Sequence, residues 1–421
     1  MEQIIEIERF INSKTNKMKK KFWYVALAAL CLMGTSTFTS CSDDDDPAPV
    51  VCPVGETEFT AAKGLQLMYN GQPMLGQKVK FTPNGDKATL TIQSDFDLSG
   101  LIGGKANLPL QLQGPGLLPG TPELTLHVDL KVNGDQCSFE GAGEAEYCTY
   151  EYQGTVAKGS LNLQFSNVKL KDTSFEGTWN LTKFAYIPSD WGDSIGEVTA
   201  SPIHIVWESE KGVSLFPGFD LPVQNILDMA LRMPLIPAGE NKITAPEMLN
   251  TVLKDVTFQK DGNIVATYTD VKNPAAGEQI SPQNLAQYVV VDANTIRVFL
   301  NPVAILAQVK QRSISIPDEA ITAAIEQLLP LLKNGVPVAY RAEGDQRTVF
   351  LNKDFLQPLL QSTVAPLFKN EKFVKEMIEA MKKVEGMGEL APMAEPVLKS
   401  LPDIIETTTK LEVGLNFTVS K

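Results

Sequence analysis

Across residues 53–172, apolar and polar residues alternate with a period of two, and Gly, Pro, Asn and Asp interrupt the alternation at short intervals. Successive side chains of a β-strand point to opposite faces of the sheet, so this pattern is typical of strands with one buried and one solvated face. The clearest case is the turn Asn84-Gly85 between the alternating runs 78–82 and 88–92, which is a strong hairpin signal. The pattern predicts an all-β sandwich or partial barrel.

Residues 173–421 combine hairpins with helical stretches. Hairpins are predicted around Asp261-Gly262 and over 288–299 and 338–350, and a last strand over 410–419. This order of elements predicts an antiparallel β-barrel with helical insertions, in a protein that is mainly β and α+β overall. The insertions are expected as helices over 303–311, 317–333, 355–368, 371–384 and 391–407, with Pro330, Pro358 and Pro366 expected to kink or break them.

Two copies of the segment Val-Phe-Leu-Asn end at Asn301 and Asn352, each after a predicted hairpin and before a predicted helix. Asparagine is a favourable residue at the N-terminus of a helix, because its side-chain oxygen accepts a hydrogen bond from a free backbone N–H. Both asparagines are therefore predicted to begin the helices that follow.

The first forty residues have the three parts of a secretory signal peptide: a basic run at 17–21, an apolar run at 22–33, and small residues before Cys41. The apolar run has twelve residues, too few for a transmembrane helix, which needs about 20. Met18 is the expected start, because the residues before it carry three glutamates that suit a signal peptide badly. Residues 1–40 are thus expected to be removed.

The segment that ends at Cys41 resembles the lipobox of bacterial lipoproteins, with an ordinary cleaved signal as the alternative. The resemblance implies acylation of the Cys41 thiol, and therefore a membrane as partner through the lipid anchor. Residues 43–46 are four aspartates, so 41–52 is expected to be a solvated, lipidated tether. The acidic run also resembles the signal that sends lipoproteins of the Bacteroidetes to the cell surface. The implied location is the outer membrane, on the cell surface or otherwise facing the periplasm.

Gly177-x-Trp179 resembles the signature of the first strand in calycin barrels, the lipocalin-like class, in which the tryptophan plugs the closed end. With the tether and the all-β region ahead of it, the chain is similar to calycin-like lipoproteins of the Bacteroidetes, a family of unestablished function. The resemblance implies that residues 173–421 form a calycin-like barrel. It implies a fold and a location, and no activity.

Acylation of Cys41 would leave Cys52, Cys137 and Cys148, so at most one disulfide can form within the chain. Cys137 and Cys148 flank a predicted hairpin turn and are the candidate pair, with free buried thiols as the alternative. The chain has no Cys-x-x-Cys and no Cys/His cluster with metal-ligand spacing, so no metal and no cofactor are predicted.

The chain carries 37 Lys and Arg against 50 Asp and Glu, a formal net charge of −13, which disfavours nucleic acid as a partner. Of its two histidines, His127 on the wet face of a predicted strand is interpreted as a surface residue, and His204 between isoleucines as structural. Enzymatic activity is therefore not favoured. A hydrolase that uses two carboxylates remains as an alternative.

Two segments are candidate ligand sites. Tyr186 and Trp191 lie in a loop rich in aspartate, a composition that suits a glycan, with a packed turn as the alternative. Phe216 and Phe219 lie in an apolar stretch that would meet a lipid at a barrel mouth, or would be buried core. We expect a lipid-anchored cell-envelope protein that binds a small apolar molecule, or alternatively a glycan during nutrient capture. An envelope protein is a further possible partner.

Overall fold

The computed structural model describes residues 52–95, 114–190, 195–216, 218–239, 241–271, 273–308, 331–383 and 391–419. Within these ranges, the side chains of residues 215–216, 306–308 and 391–393 are outside the description. The predicted fold class is confirmed, because strands make up 51% of these described residues and helices 24%. Residues 50–421 form one compact unit.

The first region consists of two sheets that share one hydrophobic core. The strands are β1 (Thr57–Phe59), β2 (Leu65–Tyr69), β3 (Gln72–Pro73), β4 (Gln77–Asn84), β5 (Lys87–Ser94), β6 (Glu123–Asp129), β7 (Lys131–Asn133), β8 (Gln136–Glu144), β9 (Cys148–Ala157) and β10 (Ser160–Leu170). One sheet has the strand order β1-β4-β5-β6 and the other β3-β2-β10-β9-β8-β7. Gly85, with φ of 64°, occupies the predicted turn between β4 and β5, where a left-handed conformation suits glycine.

The second region is built on one large sheet with three small hairpins beside it. Its strands are β11 (Gly177–Leu181), β12 (Ala185–Pro188), β13 (Ile195–Ala200), β14 (Ile203–Ser209), β15 (Val213–Phe216), β16 (Phe219–Leu221), β17 (Ile236–Ala238), β18 (Asn241–Ile243), β19 (Leu253–Phe258), β20 (Ile264–Thr269), β21 (Glu278–Ile280), β22 (Ala286–Asp292), β23 (Thr295–Leu300), β24 (Val336–Glu343), β25 (Gln346–Asn352) and β26 (Thr408–Thr418). The pairs β12–β13, β15–β16 and β17–β18 form the hairpins.

The large sheet winds in the order of an up-and-down barrel. Its path is β21-β20-β19-β11-β26-β25-β24-β23-β22, so the last strand returns to the first one, and β14 adds to β26 beside this path. The two ends of this path, β21 and β22, follow each other in the chain, and no strand pairing joins them among the described residues. The backbone N–H of Tyr288 donates to Gly262 O at 2.7 Å and brings β22 to the β19–β20 turn. The ladders between the described strands thus approach a ring without closing it.

Trp179 lies at the centre of an aromatic cluster inside this sheet. Its side chain is 3% exposed, and its ring centroid lies 4.5 Å from that of Phe175, 4.7 Å from Phe258 and 5.7 Å from Tyr340. Phe417 of β26 completes the cluster at 6.1 Å. Packed rings of this kind contribute strongly to stability through the area they bury. The cluster joins the first strand of the sheet to the last.

The helices of the second region follow the predicted positions, with two additions. They are α1 (Val223–Arg232), α2 (Ala245–Val252), α3 (Pro302–Gln308), α4 (Lys353–Lys369), α5 (Glu371–Lys382) and α6 (Ala391–Glu406). The predicted roles of the two asparagines are confirmed. Asn301 Oδ1 accepts from Ala304 N at 3.1 Å, and Asn352 Oδ1 from Phe355 N at 3.2 Å. Helices α1 and α2 were not predicted.

A kink or a break was expected at each proline of the helix predicted over 355–368, and neither proline breaks it. Pro358 and Pro366 both lie inside α4, which continues through them. Helix α4 packs against α6, β25 and β26, and such tertiary contacts compensate the hydrogen bonds that proline removes. Pro330 and most of the helix predicted over 317–333 lie outside the described residues.

The two regions meet at a group of buried polar side chains, here called the Asp261 network. The Asp261 carboxylate accepts two hydrogen bonds of 2.9 Å, one at Oδ2 from Asn70 Nδ2 and one at Oδ1 from the backbone N–H of Asn263. Asn263 Nδ2 also donates to it at 3.0 Å. The Tyr69 hydroxyl donates to the backbone oxygen of Asp261 at 2.5 Å. Burial is the main cause that raises the pKa of Tyr69 well above its usual value, and the charge of Asp261 is the second cause. These donors compensate the desolvation of a carboxylate that is only 6% exposed.

Candidate functional site

Helix α1 has one face packed against the protein and the other face at the surface. Val223, Ile226 and Leu227 pack in a small core with Val213 and Ile404, whereas residues further round the helix remain exposed. Apolar residues at spacings of three and four place one stripe of a helix against its support. The support also holds the helix by a polar contact, because the backbone N–H of Trp207 donates to Gln224 Oε1 at 2.7 Å.

The hairpin β12–β13 lies near α1 and is held at its base by Asn250 of α2. Asn250 Oδ1 accepts from the backbone N–H of Phe184 at 2.7 Å, and its Nδ2 donates to Thr182 O at 3.0 Å. Helix α2 itself begins with a capping box, in which Thr244 and Glu247 satisfy each other's backbone N–H groups. These contacts fix the strand that enters the hairpin.

An open groove, here called the α1 groove, lies between α1 and β13 and has a volume of about 800 Å³. Met229 is 41% exposed in it, although methionine is usually a buried residue. Its walls are mainly apolar, with three polar side chains among them. The lining residues are Ile195, Asn225, Asp228, Met229, Arg232, Met233 and Pro234.

A smaller cavity of about 170 Å³, here called the His204 chamber, adjoins the groove. Asp228 and Arg232 line both spaces, so the chamber and the groove share a charged wall. Asp228 Oδ1 accepts from Gln224 Nε2 at 2.7 Å. Arg232 forms no ion pair with any residue in the described ranges. The shared wall therefore offers a guanidinium group without an ion-pair partner among the described residues.

His204 connects the chamber to an ion-pair cluster on the large sheet. Its Nε2 lies 2.7 Å from Glu412 Oε2, while Arg341 Nη2 lies 3.3 Å and Lys410 Nζ 3.6 Å from Glu412 Oε1. Burial raises the pKa of Glu412, but the His204 hydrogen bond and the charges of Arg341 and Lys410 outweigh it, so the pKa lies below its usual value. The Phe350 ring lies 5.0 Å from the Arg341 guanidinium. The cluster keeps Glu412 ionised and holds His204 in place.

A third space of about 540 Å³, here called the α6 cleft, lies between the β15–β16 hairpin and α6 and has several carboxylates in its walls. Asp220, Glu395 and Asp403 line it. Asp220 accepts a hydrogen bond from Ser214. The hydrogen bond and charge of Lys399 lower the pKa of Glu395, which is the opposite of what a general acid needs. The geometry therefore gives the hydrolase alternative no support from Glu395.

The predicted ligand-binding residues are divided between two places. Tyr186 on β12 is 39% exposed, and its ring centroid lies 5.6 Å from that of Phe184, which lines the His204 chamber. Phe219 on β16 is 52% exposed on the other hairpin, and the Phe216 backbone belongs to β15. Trp191 and the Phe216 side chain lie outside the described residues. The described part of the chain thus does not bring the aromatic loop and the apolar stretch into one site.

The predicted barrel signature, lipidation site and disulfide candidates lie outside the groove, the chamber and the cleft, or outside the described residues. Gly177, with φ of 145°, begins β11, and Trp179 follows it into the aromatic cluster. Cys41 lies outside the described residues. Cys137 and Cys148 are free and buried: Cys137 pairs across β8–β9 with Val156, so the two thiols do not face each other. The alternative of free thiols is therefore the one observed, because the register of β8 and β9 does not place Cys137 opposite Cys148.

Sequence reasoning missed Met229, Asp228 and Arg232 as members of one site. Helix α1, which carries them, was not predicted, although Val223, Ile226 and Leu227 have helical spacing. That spacing was the signal that would have placed Met229 and Arg232 together on the opposite face.

No known protein family matches the chain, and neither a curated protein nor a solved structure is significantly similar to it. In the described parts of the chain, each helix is too short or too polar to cross a membrane. The site's own geometry therefore carries the functional argument.

Proposed function

We propose that the chain is a lipid-anchored cell-envelope protein that binds a small apolar ligand in the α1 groove, beside the calycin-like sheet. The observation that carries this proposal is the exposed Met229 in an open, mainly apolar groove of about 800 Å³. Ligand sites commonly have volumes of about 300–1,000 Å³, apolar walls and a few polar groups.

The lining chemistry favours an elongated ligand with one polar end. Met229 and Met233 have flexible, polarisable side chains that adapt to apolar ligands of different shape. Arg232 and Asp228 stand where the groove meets the His204 chamber, so a polar end would be held there. An acidic end would pair with Arg232, whose charge is unpaired within the described ranges.

Ligand binding is tested with the neutral apolar probe N-phenyl-1-naphthylamine and the full-length Cys41→Ala chain, which needs no detergent. Met229→Asp should raise the Kd about tenfold or more, because the charge opposes an apolar ligand. Phe219→Asp is the matched control, since Phe219 is also exposed but lies on β16, outside the lining of the groove. Equal binding by the wild type and Met229→Asp would exclude the groove as the site.

The polar end is tested with two ligands of equal chain length, a fatty acid and the corresponding alcohol. Arg232→Gln should weaken binding of the acid and leave that of the alcohol unchanged, because only the acid loses an ion pair. Equal weakening of both ligands would mean that Arg232 acts through the shape of the groove.

The lipid anchor is tested by fractionation. The resemblance of the segment ending at Cys41 to a lipobox, and the acidic tether after it, support an anchor. Cys41→Ala should move the protein from the membrane to the soluble fraction, because the acyl chains supply the membrane affinity. Retention in the membrane would contradict the lipoprotein assignment.

Glycan binding is the second candidate, favoured by the exposed Tyr186 ring next to Phe184. Aromatic rings at a surface offer flat apolar faces for sugars. On this hypothesis Tyr186→Ala should abolish binding on a glycan array, while Met229→Asp should not change it. The two variants therefore separate the two candidates.

A further inference from the structure

Asp228 and Arg232 lie one turn apart on α1, and among the described residues neither forms an ion pair, with the other or with a third residue. An aspartate four residues before an arginine has the spacing at which charged side chains of a helix readily pair. Asp228 instead accepts at Oδ1 from Gln224 Nε2, one turn earlier, at 2.7 Å. A negative and a positive group therefore lie side by side, and both remain available to a ligand.

The two charges line the boundary between the α1 groove and the His204 chamber. His204 also lines the chamber, but its Nε2 is engaged by Glu412 at 2.7 Å. The other chamber walls include Phe184 and Leu231, and an apolar surrounding strengthens the interactions of a charge. The boundary thus offers a carboxylate that accepts hydrogen bonds and a guanidinium group that donates them.

The two spaces differ in the size of the group that they can hold. The chamber volume of about 170 Å³ equals the liquid volume of about six water molecules, so it admits a group with few non-hydrogen atoms. The groove has about 800 Å³, and Met229 and Met233 line it one turn apart along a single face of α1. Flexible thioether side chains in this arrangement suit a hydrocarbon chain. The volumes together match a small head and a long chain.

We propose that the ligand is a single-chain amphiphile whose head carries both a phosphate and a primary ammonium group. This inference rests on the proposed binding in the α1 groove and names the class of ligand. The chain lies in the groove and the head enters the chamber. The phosphate pairs with the Arg232 guanidinium group, whose geometry suits oxyanions. The ammonium group donates to Asp228, because only Oδ1 of that carboxylate has a hydrogen-bond partner among the described residues.

A head with both charges fits this boundary better than a head with one. An anionic head would pair with Arg232 but would also approach the like charge of Asp228, which opposes its binding. In phosphoethanolamine, two carbon atoms separate the phosphate from the ammonium group. This span is comparable with the rise of about 6 Å between helix residues four apart, so both charges can be paired at once.

Titration calorimetry tests the head group with the full-length Cys41→Ala chain and three lysophospholipids that share a myristoyl chain, each below its critical micelle concentration. Their heads are phosphoethanolamine, phosphocholine and phosphoglycerol. We expect the phosphoethanolamine lipid to have a Kd about tenfold or more below the other two, because choline has no N–H donor and glycerol has no charge for Asp228. Phosphoethanolamine without a chain should bind about a hundredfold more weakly than the lipid, because it leaves the groove empty.

Asp228→Asn tests the partner of the ammonium group. Asparagine keeps an oxygen that can accept from Gln224 but removes the negative charge. The Kd of the phosphoethanolamine lipid should rise about tenfold, while binding of the phosphocholine and phosphoglycerol lipids should not weaken. Asp354→Asn is the matched control, because Asp354 is also an aspartate on a helix but lies outside the lining of the groove and the chamber. It should leave all three Kd values unchanged.

Three results would overturn the inference. They are equal or tighter binding of the phosphocholine or phosphoglycerol lipid, equal binding of phosphoethanolamine without a chain, and an unchanged preference in Asp228→Asn. The first leaves the proposed function intact, because a lipid still binds in the groove. Failure of the groove itself is distinguishable, since Met229→Asp would then leave the binding of all three lipids unchanged. The comparison of lipids in the chain with Asp228 stands even if Asp228→Asn does not fold.

Discussion

The two regions bury their strands in different ways. In the first region, β6 alternates strictly between exposed and buried residues, whereas in the second region β14 and β24 contain mostly half-buried residues. A strict alternation means that one face is dry and the other is wet. Half-burial along a strand means that helices and hairpins cover the sheet incompletely. The α1 groove, the His204 chamber and the α6 cleft all lie in the second region.

The difference in burial indicates that the first region mainly supplies stability and that the second region offers space for a ligand. The first region gains its stability from a closely packed core. The second region gives up part of that packing and gains space that a ligand can enter. Three experiments test this comparison.

The largest effect is expected at Trp179, where the second region is packed as closely as the first. Trp179→Ala should lower the free energy of unfolding by about 3–5 kcal/mol, because it leaves a cavity inside the aromatic cluster. Denaturant unfolding followed by circular dichroism measures the loss. Trp207→Ala is the control, and its loss should be roughly half as large, since Trp207 is only partly buried. Equal losses would remove the distinction between the closely packed and the open parts of the second region.

A smaller effect is expected at the Asp261 network, which joins the regions. Asp261→Ala leaves the buried donors of Asn70 and Asn263 without their acceptor and should cost about 2–3 kcal/mol. Tryptophan fluorescence reports the second region, because Trp179 and Trp207 belong to it, and circular dichroism reports both. The two transitions should coincide in the wild type and separate in Asp261→Ala.

The control for this experiment is Asp86→Ala, which removes an exposed carboxylate from the β4–β5 turn. It should leave both transitions unchanged. Coincident transitions in Asp261→Ala would mean that apolar contacts alone couple the two regions.

The smallest effect is expected at Glu412, on the open side of the large sheet. Its folded-state pKa is lowered, so the ionised carboxylate stabilises the fold above the unfolded-state pKa, about 4.3 for glutamate. This contribution is lost as the pH falls through the folded-state pKa. Glu412→Gln should cost about 1 kcal/mol at neutral pH, because Arg341 and Lys410 are partly solvated, and should reduce the loss of stability in acid.

Denaturation midpoints between pH 7 and pH 3 measure this prediction. Glu140→Gln is the control, because its partner Lys131 is exposed and the pair is screened by water. An unchanged acid profile in Glu412→Gln would show that other carboxylates determine the acid sensitivity of the second region.

Features fixed by neighbouring residues could be predicted from the sequence. The turns at Asn84-Gly85 and Asp261-Gly262 and the helix starts at Asn301 and Asn352 all depend on contacts within a few residues. Continuation of α4 through its prolines depends on packing against α6 and β26, which the local sequence does not show.

The candidate site combines residues that are distant in the chain, so it was harder to predict from the sequence. The α1 groove combines Ile195 with Met229, and the ion-pair cluster combines His204 with Glu412, across long separations in the chain. Their residue types could be noted in the sequence, but their proximity could not.

Strand β26 has a consequence for how the chain is made. It pairs with β25 along one edge and with β14 and β11 along the other, and it contributes Phe417 to the aromatic cluster. The pairings of the first region, by contrast, all lie between residues 57 and 170. During synthesis the first region can therefore complete its sheets early, while β11 and β14 wait for a partner that emerges more than two hundred residues later. Until then the apolar strands of the second region are exposed to chaperones and proteases.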